Sequence, residues 1–133
     1  MSPEEIVEKM IAKDSFSKWL NIDIINIKKG SCILKTTITK EMTNGFKLSH
    51  GGICFSIADS CLAFSANSYG RISLTKSAEI QFIKKVNIND TITAKCHHSE
   101  IDKNNFNIDL INQHQEKIAN FIGTVHFTNE VWS

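Results

Sequence analysis

The stretch Asn44–Gly70, NGFKLSHGGICFSIADSCLAFSANSYG, constrains the fold of this chain more than any other. A loop with Asn44 and Gly45 leads through His50-Gly51-Gly52 into a segment whose apolar residues, Ile53, Phe55, Ile57, Ala58, Cys61, Leu62, Ala63, Phe64 and Ala66, fall on nearly every side of a helix. A helix apolar all round belongs inside a fold, so the remaining residues must supply its walls. Asp59 interrupts that apolar surface at mid-helix. A carboxylate there is costly unless it is paired or has a task, and the functional reading starts from it.

The walls read as strands. From Ile22 to Thr39, β-branched residues alternate on both sides of Lys29-Gly30, which reads as a hairpin. Beyond Gly70, Ala78, Ile80 and Phe82 alternate with polar neighbours, as do Ile92, Ala94 and Cys96, then Phe106, Ile108 and Leu110. Ala119, Phe121, Val125 and Phe127 form one face of a last strand. Asn87–Asp90, Asp102–Asn105 and Gln113–Lys117 are the turns. Each run has one apolar face, the pattern of an antiparallel sheet covered on one side, and the central helix is the cover. The fold class is therefore α+β, a sheet wrapped around one long central helix. Pro3, Glu4 and Glu5 followed by Ile6, Val7, Met10 and Ile11 mark a short amphipathic helix to about Asp14, within an N-terminal helical segment 1–21.

At 133 residues the chain has room for one core, and a single domain over 1–133 is expected. Fifteen basic against fourteen acidic residues leave a net charge of +1, which argues against nucleic acid as a partner. No apolar run reaches membrane-spanning length and MSPEEIVEKM is unlike a signal peptide, so no membrane association and a cytoplasmic location are expected. Cys32, Cys54, Cys61 and Cys96 contain no CxxC pair. Cys54 and Cys61 would stand about 10 Å apart on the helix, beyond the roughly 7 Å a disulfide spans. Reduced core thiols are expected.

Chemistry concentrates at the helix. Gly51 and Gly52 leave backbone N–H groups at a helix N-terminus unhindered by side chains, and such donors stabilise developing negative charge. The same glycines also suit a tight turn and close packing. Asp59 lies about 12 Å along the axis from Gly51, out of reach of a carbonyl held there. In a two-fold dimer with antiparallel central helices, one copy's Asp59 approaches the other's helix start. The alternative is a carboxylate satisfied by Ser56 and Ser60. His50 reads either as a catalytic group or as a helix cap. The five histidines and four cysteines lack metal-ligand spacing, and no G-x-S-x-G, G-x-G-x-x-G or P-loop is present, so no metal is expected.

Asn44-Gly45, His50-Gly51-Gly52, Phe55, Ile57-Ala58-Asp59, Ala63 and Asn67-Ser68-x-Gly70, with the strand pattern over roughly residues 15 to 128, resemble the PaaI-type acyl-CoA thioesterases of the hotdog fold. The resemblance implies a curved antiparallel sheet around the central helix and a homodimer with a continuous sheet and shared active sites, commonly paired into a homotetramer. It implies hydrolysis of an aryl- or short/medium-chain acyl-CoA with no cofactor, CoA being part of the substrate. It carries roles onto matching positions: Asp59, from the opposite subunit, as nucleophile or general base; the Gly51 N–H as oxyanion donor; Asn44 and His50 as positioning groups.

On the substrate side, Gly52 flanks the oxyanion position and Ala63 keeps space open beside Asp59. Thr75 matches a position where a hydroxyl can face the acyl pocket. Lys84 and Lys85 fall near the CoA phosphates, with Lys85 where the family often has proline, and Lys103 is a second candidate phosphate contact. Phe55, Phe64, Tyr69 and Phe82 are candidates for lining the acyl pocket or for the core. A hydratase of this fold is poorly matched by Asp59 and HGG; a non-catalytic acyl-CoA-binding protein is the alternative if Asp59 is a structural acid.

Overall fold

A computed structural model describes residues 1–98 and 101–133. Helix α1 (Pro3–Ala12) opens with a reciprocal cap: Ser2 Oγ accepts from Glu5 N–H at 3.1 Å while Ser2 N–H donates to Glu5 Oε1 at 3.3 Å. It buries Ile6 and Val7. A five-residue helix α2 (Ser15–Trp19) follows, capped by Asp14. Strands β1 (Asp23–Lys28) and β2 (Ser31–Thr37) form the expected hairpin, and a 3-10 turn at Lys40–Met42 leads to the central helix α3 (Gly51–Asn67). Strands β3 (Arg71–Phe82), β4 (Thr91–His97), β5 (Asn105–Ile111) and β6 (Lys117–Val131) complete one antiparallel sheet in the order β1-β2-β4-β5-β6-β3.

α3 lies against β2 to β6 and buries Ile53, Cys54, Ile57, Ala58, Cys61, Leu62 and Phe64 against Leu34, Ile92, Ala94, Phe106, Ile108, Leu110 and Phe121. The four cysteines are free and buried in this core. Burial pushes the Cys54 and Cys96 thiols up to about 11, so neither is a thiolate near neutrality.

Two glycines make the close approaches possible. In the β1–β2 turn Gly30 has φ +73°, and a Cβ there would lie 2.1 Å from the Tyr69 hydroxyl. In β6, a Cβ on Gly123 would lie 2.4 Å from Leu62 Cδ2 and 3.1 Å from Phe121 Cε1. Leu62 and Phe121 are both wholly buried, so neither can swing aside. Gly123→Ala is expected to lower stability by about 1–3 kcal/mol through overpacking, read as a lower denaturant midpoint at unchanged m. An unchanged midpoint would mean that α3 tolerates displacement from the sheet.

Two sequence expectations need correction. α3 is not covered all round: Gly52, Phe55, Ser56, Asp59, Ser60 and Ala63 form a stripe that is only partly buried or exposed. Small and polar residues dominate that stripe, which is why hydrophobic counting did not separate it from the buried sides. Nor is the apolar face of β3 covered along its length. β3 is a sheet edge, with Phe82 59% exposed, Ala78 exposed and Ile80 only partly buried on that face. The chain ends by tying the far end of α3 to β3. Asn67 Nδ2 donates to Ser73 Oγ at 3.1 Å, and Asn67 Oδ1 accepts from Ser73 N–H at 3.0 Å and Trp132 Nε1–H at 2.9 Å.

Candidate active site

The loop before α3 is fixed on both sides. Asn44 Oδ1 accepts from Phe46 N–H at 2.9 Å and Leu48 N–H at 3.3 Å, closing an Asx-type turn. Ser49 N–H donates to Val86 O at 2.7 Å and His50 N–H to Met42 O at 2.8 Å. Because Asn44 spends its carbonyl on the loop, its amide N–H groups are what it can offer a ligand.

His50 is the N-cap of α3. Its Nδ1 accepts from Gly52 N–H at 3.0 Å, which places the ring proton of a neutral imidazole on Nε2. The expectation of two open glycine donors is thereby corrected: the Gly52 donor is occupied. Ile53 N–H bonds back to His50 O at 2.9 Å. Gly51 N–H, at the first helical position, has no acceptor among the described residues. It projects from a helix N-terminus with the dipole behind it, the arrangement that stabilises an anion.

Gly51 opens on a cavity of about 300 Å³ whose lining includes Asn44, Cys54, Phe82, Lys84 and Lys85. A Cβ on Gly51 would come within 3.2 Å of Phe82 Cζ, so the glycine lets this ring close over the helix start. At the rim Lys84 is ion-paired with Glu116, which holds the Glu116 carboxyl below its usual range. Lys85 has no ion pair among the described residues. Asn44 from the loop, Gly51 from the helix start and the adjacent Lys84 and Lys85 after β3 are thus brought to one place.

Asp59 is elsewhere, about two turns further along α3 on the half-buried stripe. Burial raises its pKa, the Thr75 hydroxyl lowers it, and the Asp14 carboxylate adds a further upward push. The serines proposed as its partners are engaged otherwise: Ser56 Oγ donates to Gly52 O at 2.6 Å, and Ser60 Oγ pairs with Ser17 Oγ at 2.9 Å. An upward shift moves a carboxylate in the direction that general-base chemistry near neutrality favours. Ala63 lies one turn on, partly open, on the same stripe. Phe55 stands between the two centres, its ring set edge-on to Phe121 with centroids 5.2 Å apart.

Three candidates separate from this group. Phe64 is a core residue, 1% exposed. Tyr69 and Lys103 line a different cavity of about 380 Å³, together with Arg71, His98 and Phe127. Lys103 therefore does not join the Gly51 cavity within the chain. Asp14 is a contributor that pattern reading missed as one. Its position three residues before Ser17 is a legible cap, and Ser17 N–H does donate to Asp14 Oδ1 at 2.9 Å, but its field on Asp59 arises only when α2 packs on α3. Among the described residues no group of three or more His, Cys, Asp or Glu side chains gathers in a metal-binding arrangement.

Residues 46–115 match the model of the thioesterase superfamily. The chain is 34% identical to the acyl-coenzyme A thioesterase PaaI of Escherichia coli K12 over 119 residues, covering 88% of this chain and 85% of that protein. It is 28% identical to a putative esterase of Archaeoglobus fulgidus over 131 residues, 96% of this chain and 84% of the relative. The solved structure of E. coli PaaI superposes with a TM-score of 0.90 at 30% identity, covering 98% of this chain and 96% of that one. A Streptococcus mutans protein solved with acetyl CoA shares the fold at a TM-score of 0.77 and 22% identity, over 84% of this chain and 92% of that chain. With the central helix in a six-stranded antiparallel sheet and this match over most of its length, the chain belongs to the thioesterase superfamily, among the PaaI-type acyl-CoA thioesterases of the hotdog fold.

Proposed function

We propose that the protein hydrolyses an acyl-CoA thioester to free acid and CoA at a site shared by two copies of the chain, with no cofactor. The thioester carbonyl accepts from Gly51 N–H, and Asp59 of the second copy delivers water or attacks directly. The observation that carries this reading is an open donor and a half-buried carboxylate about 12 Å apart on one helix. Neither serves the other within a chain.

The edge strand supports the same assembly. β3 presents twelve residues of unpaired edge with exposed apolar side chains, which a second sheet edge would satisfy. Antiparallel pairing about a two-fold at Glu79, with Ala78 opposite Ile80 of the second copy, sets Thr75, beside Asp59, opposite Phe82 of the second copy, which covers that copy's Gly51. Both side chains face inward, because the bulge between Thr75 and Ser77 restores the alternation. Such dimers pair further into a tetramer, and the setting is cytoplasmic, where four buried thiols stay reduced.

In this site Asn44 positions water or substrate through its amide, and His50 fixes the helix start by capping Gly52 rather than by moving a proton. Lys85 meets CoA phosphates, and Lys84 does so by exchanging Glu116 for phosphate. Release of CoA thiol from short, medium-chain and aryl acyl-CoAs tests the reading. Turnover of at least one is expected. Binding of CoA esters with no turnover of any would replace it with a non-catalytic binding protein.

A further inference from the structure

A second groove, of about 350 Å³, lies against the same first turn of α3, lined by His50, Gly52 and Ser56 where the Gly51 cavity has Asn44, Lys84 and Lys85. Its outer wall is an aromatic pair: Phe16 and Trp19 stack with centroids 5.9 Å apart and planes 20° apart. Half of each residue is exposed, 51% and 50%, although both sit on a helix whose neighbouring Leu20 is wholly buried. Met42 and Ile53 supply apolar lining.

The wall is anchored. Asp14 caps α2 through Ser17, whose hydroxyl meets Ser60 of α3 at 2.9 Å. α2 is therefore tied to the helix that carries Asp59, one residue from Asp59 itself. The tie adds to the anchor at the other end of this short helix, where Leu20 is wholly buried and its carbonyl accepts from the Thr36 hydroxyl.

The substrate of the proposed reaction is amphipathic, with an apolar acyl group on one side of the carbonyl and a polyanionic CoA on the other. A carbonyl at Gly51 sends the two in opposite directions. Lys84 and Lys85 lie in the cavity on one flank of the helix start, beside Phe82 and Val86. The groove on the other has the Phe16 and Trp19 rings, no lysine or arginine among the described residues, and Glu41, which disfavours a polyanion there. We infer that the Phe16–Trp19 groove is the acyl subsite, and that the aromatic pair makes the enzyme select bulky apolar acyl groups over acetyl. The inference rests on the thioesterase reading above. A ring or a medium-length chain reaches the stacked faces and excludes water from them, whereas a methyl group leaves them wet.

The test is the kcat/KM of benzoyl- and hexanoyl-CoA relative to acetyl-CoA in the wild type, Phe16→Ala and Trp19→Ala, with oligomeric state followed by native mass spectrometry. In each variant the ratio for at least one bulky substrate is expected to fall roughly tenfold, the size of effect a lost hydrophobic contact has on discrimination. Trp19→Phe should recover part of it. Unchanged ratios, or an equal loss on all three substrates accompanied by dissociation, would overturn the assignment and make the pair a packing surface between subunits. If the wild type turns over no thioester, the functional reading fails separately. The groove is then judged by Trp fluorescence: a change on adding benzoyl-CoA to Asp59→Asn that vanishes in Asp59→Asn/Trp19→Ala supports it, and no change overturns it.

Discussion

Replacing Asp59 by asparagine is expected to reduce kcat by roughly 10²–10⁴-fold, the contribution of a positioned general base, while leaving the protein folded and at least as stable as the wild type. The two halves of this expectation have one cause. Burial makes the ionised carboxylate unfavourable, and Thr75 only partly offsets it, so the folded chain holds the Asp59 proton at pH values where the unfolded chain has released it. The stability this group contributes is present below the ordinary Asp pKa of about 3.9 and is lost as pH rises through the raised folded-state value. Asparagine keeps the shape without the charge. The variant should therefore gain on the wild type at neutral pH, and the gap should close in acid. Activity runs the other way, rising with pH as the carboxylate ionises, with its acid limb above the normal aspartate range. A structural acid behaves oppositely: its removal destabilises the fold at neutral pH and leaves turnover intact. Denaturant melts and pH–rate profiles of both proteins distinguish the cases.

That contrast rests on features legible to different degrees in the sequence. The core of α3 was readable because Ile53, Ile57, Cys61 and Phe64 leave no doubt about burial, and the strands because each alternates. The open stripe was not, since Gly52, Ser56, Ser60 and Ala63 are compatible with close packing or with exposure, and only the position of α2 and the β3 edge decides. The motif placed Asn44, Gly51 and His50 at one helix start, but not the division of labour among donors. That His50 occupies Gly52 N–H and frees only Gly51 depends on a rotamer. Glu116 against Lys84, and Asp14 acting on Asp59, are meetings of residues 32 and 45 positions apart, which no local pattern encodes. Lys103 looked like a partner of Lys84 on charge alone, and the turn before β5 carries it to another cavity.

Gly51→Pro is expected to cost roughly 10²–10³-fold in kcat, about 2.7–4 kcal/mol, because it deletes the one open donor at the helix start. Proline is suited to this position. Gly51 is the first helical residue, where no intrahelical bond uses its N–H, and His50 before it has φ −60° and ψ 137°, the extended conformation that a following proline requires. The nearest obstacle is the exposed Phe82 ring, which can shift. Loss of turnover with an unchanged melt then reports on the donor rather than on folding; full activity in a correctly folded Gly51→Pro would remove the oxyanion role. Mixing this variant with Asp59→Asn carries the argument to the assembly. In a mixed dimer, the Asp59→Asn copy still offers Gly51 and the Gly51→Pro copy still offers Asp59, so one of the two shared sites is whole. With complete exchange at equal amounts, half the dimers are mixed, and about a quarter of wild-type activity should return. Two inactive proteins that regain activity on mixing require catalytic groups from different chains. If native mass spectrometry shows mixed dimers and activity stays absent, each site is built within one chain, and the 12 Å along α3 has to be closed by movement of the helix start instead.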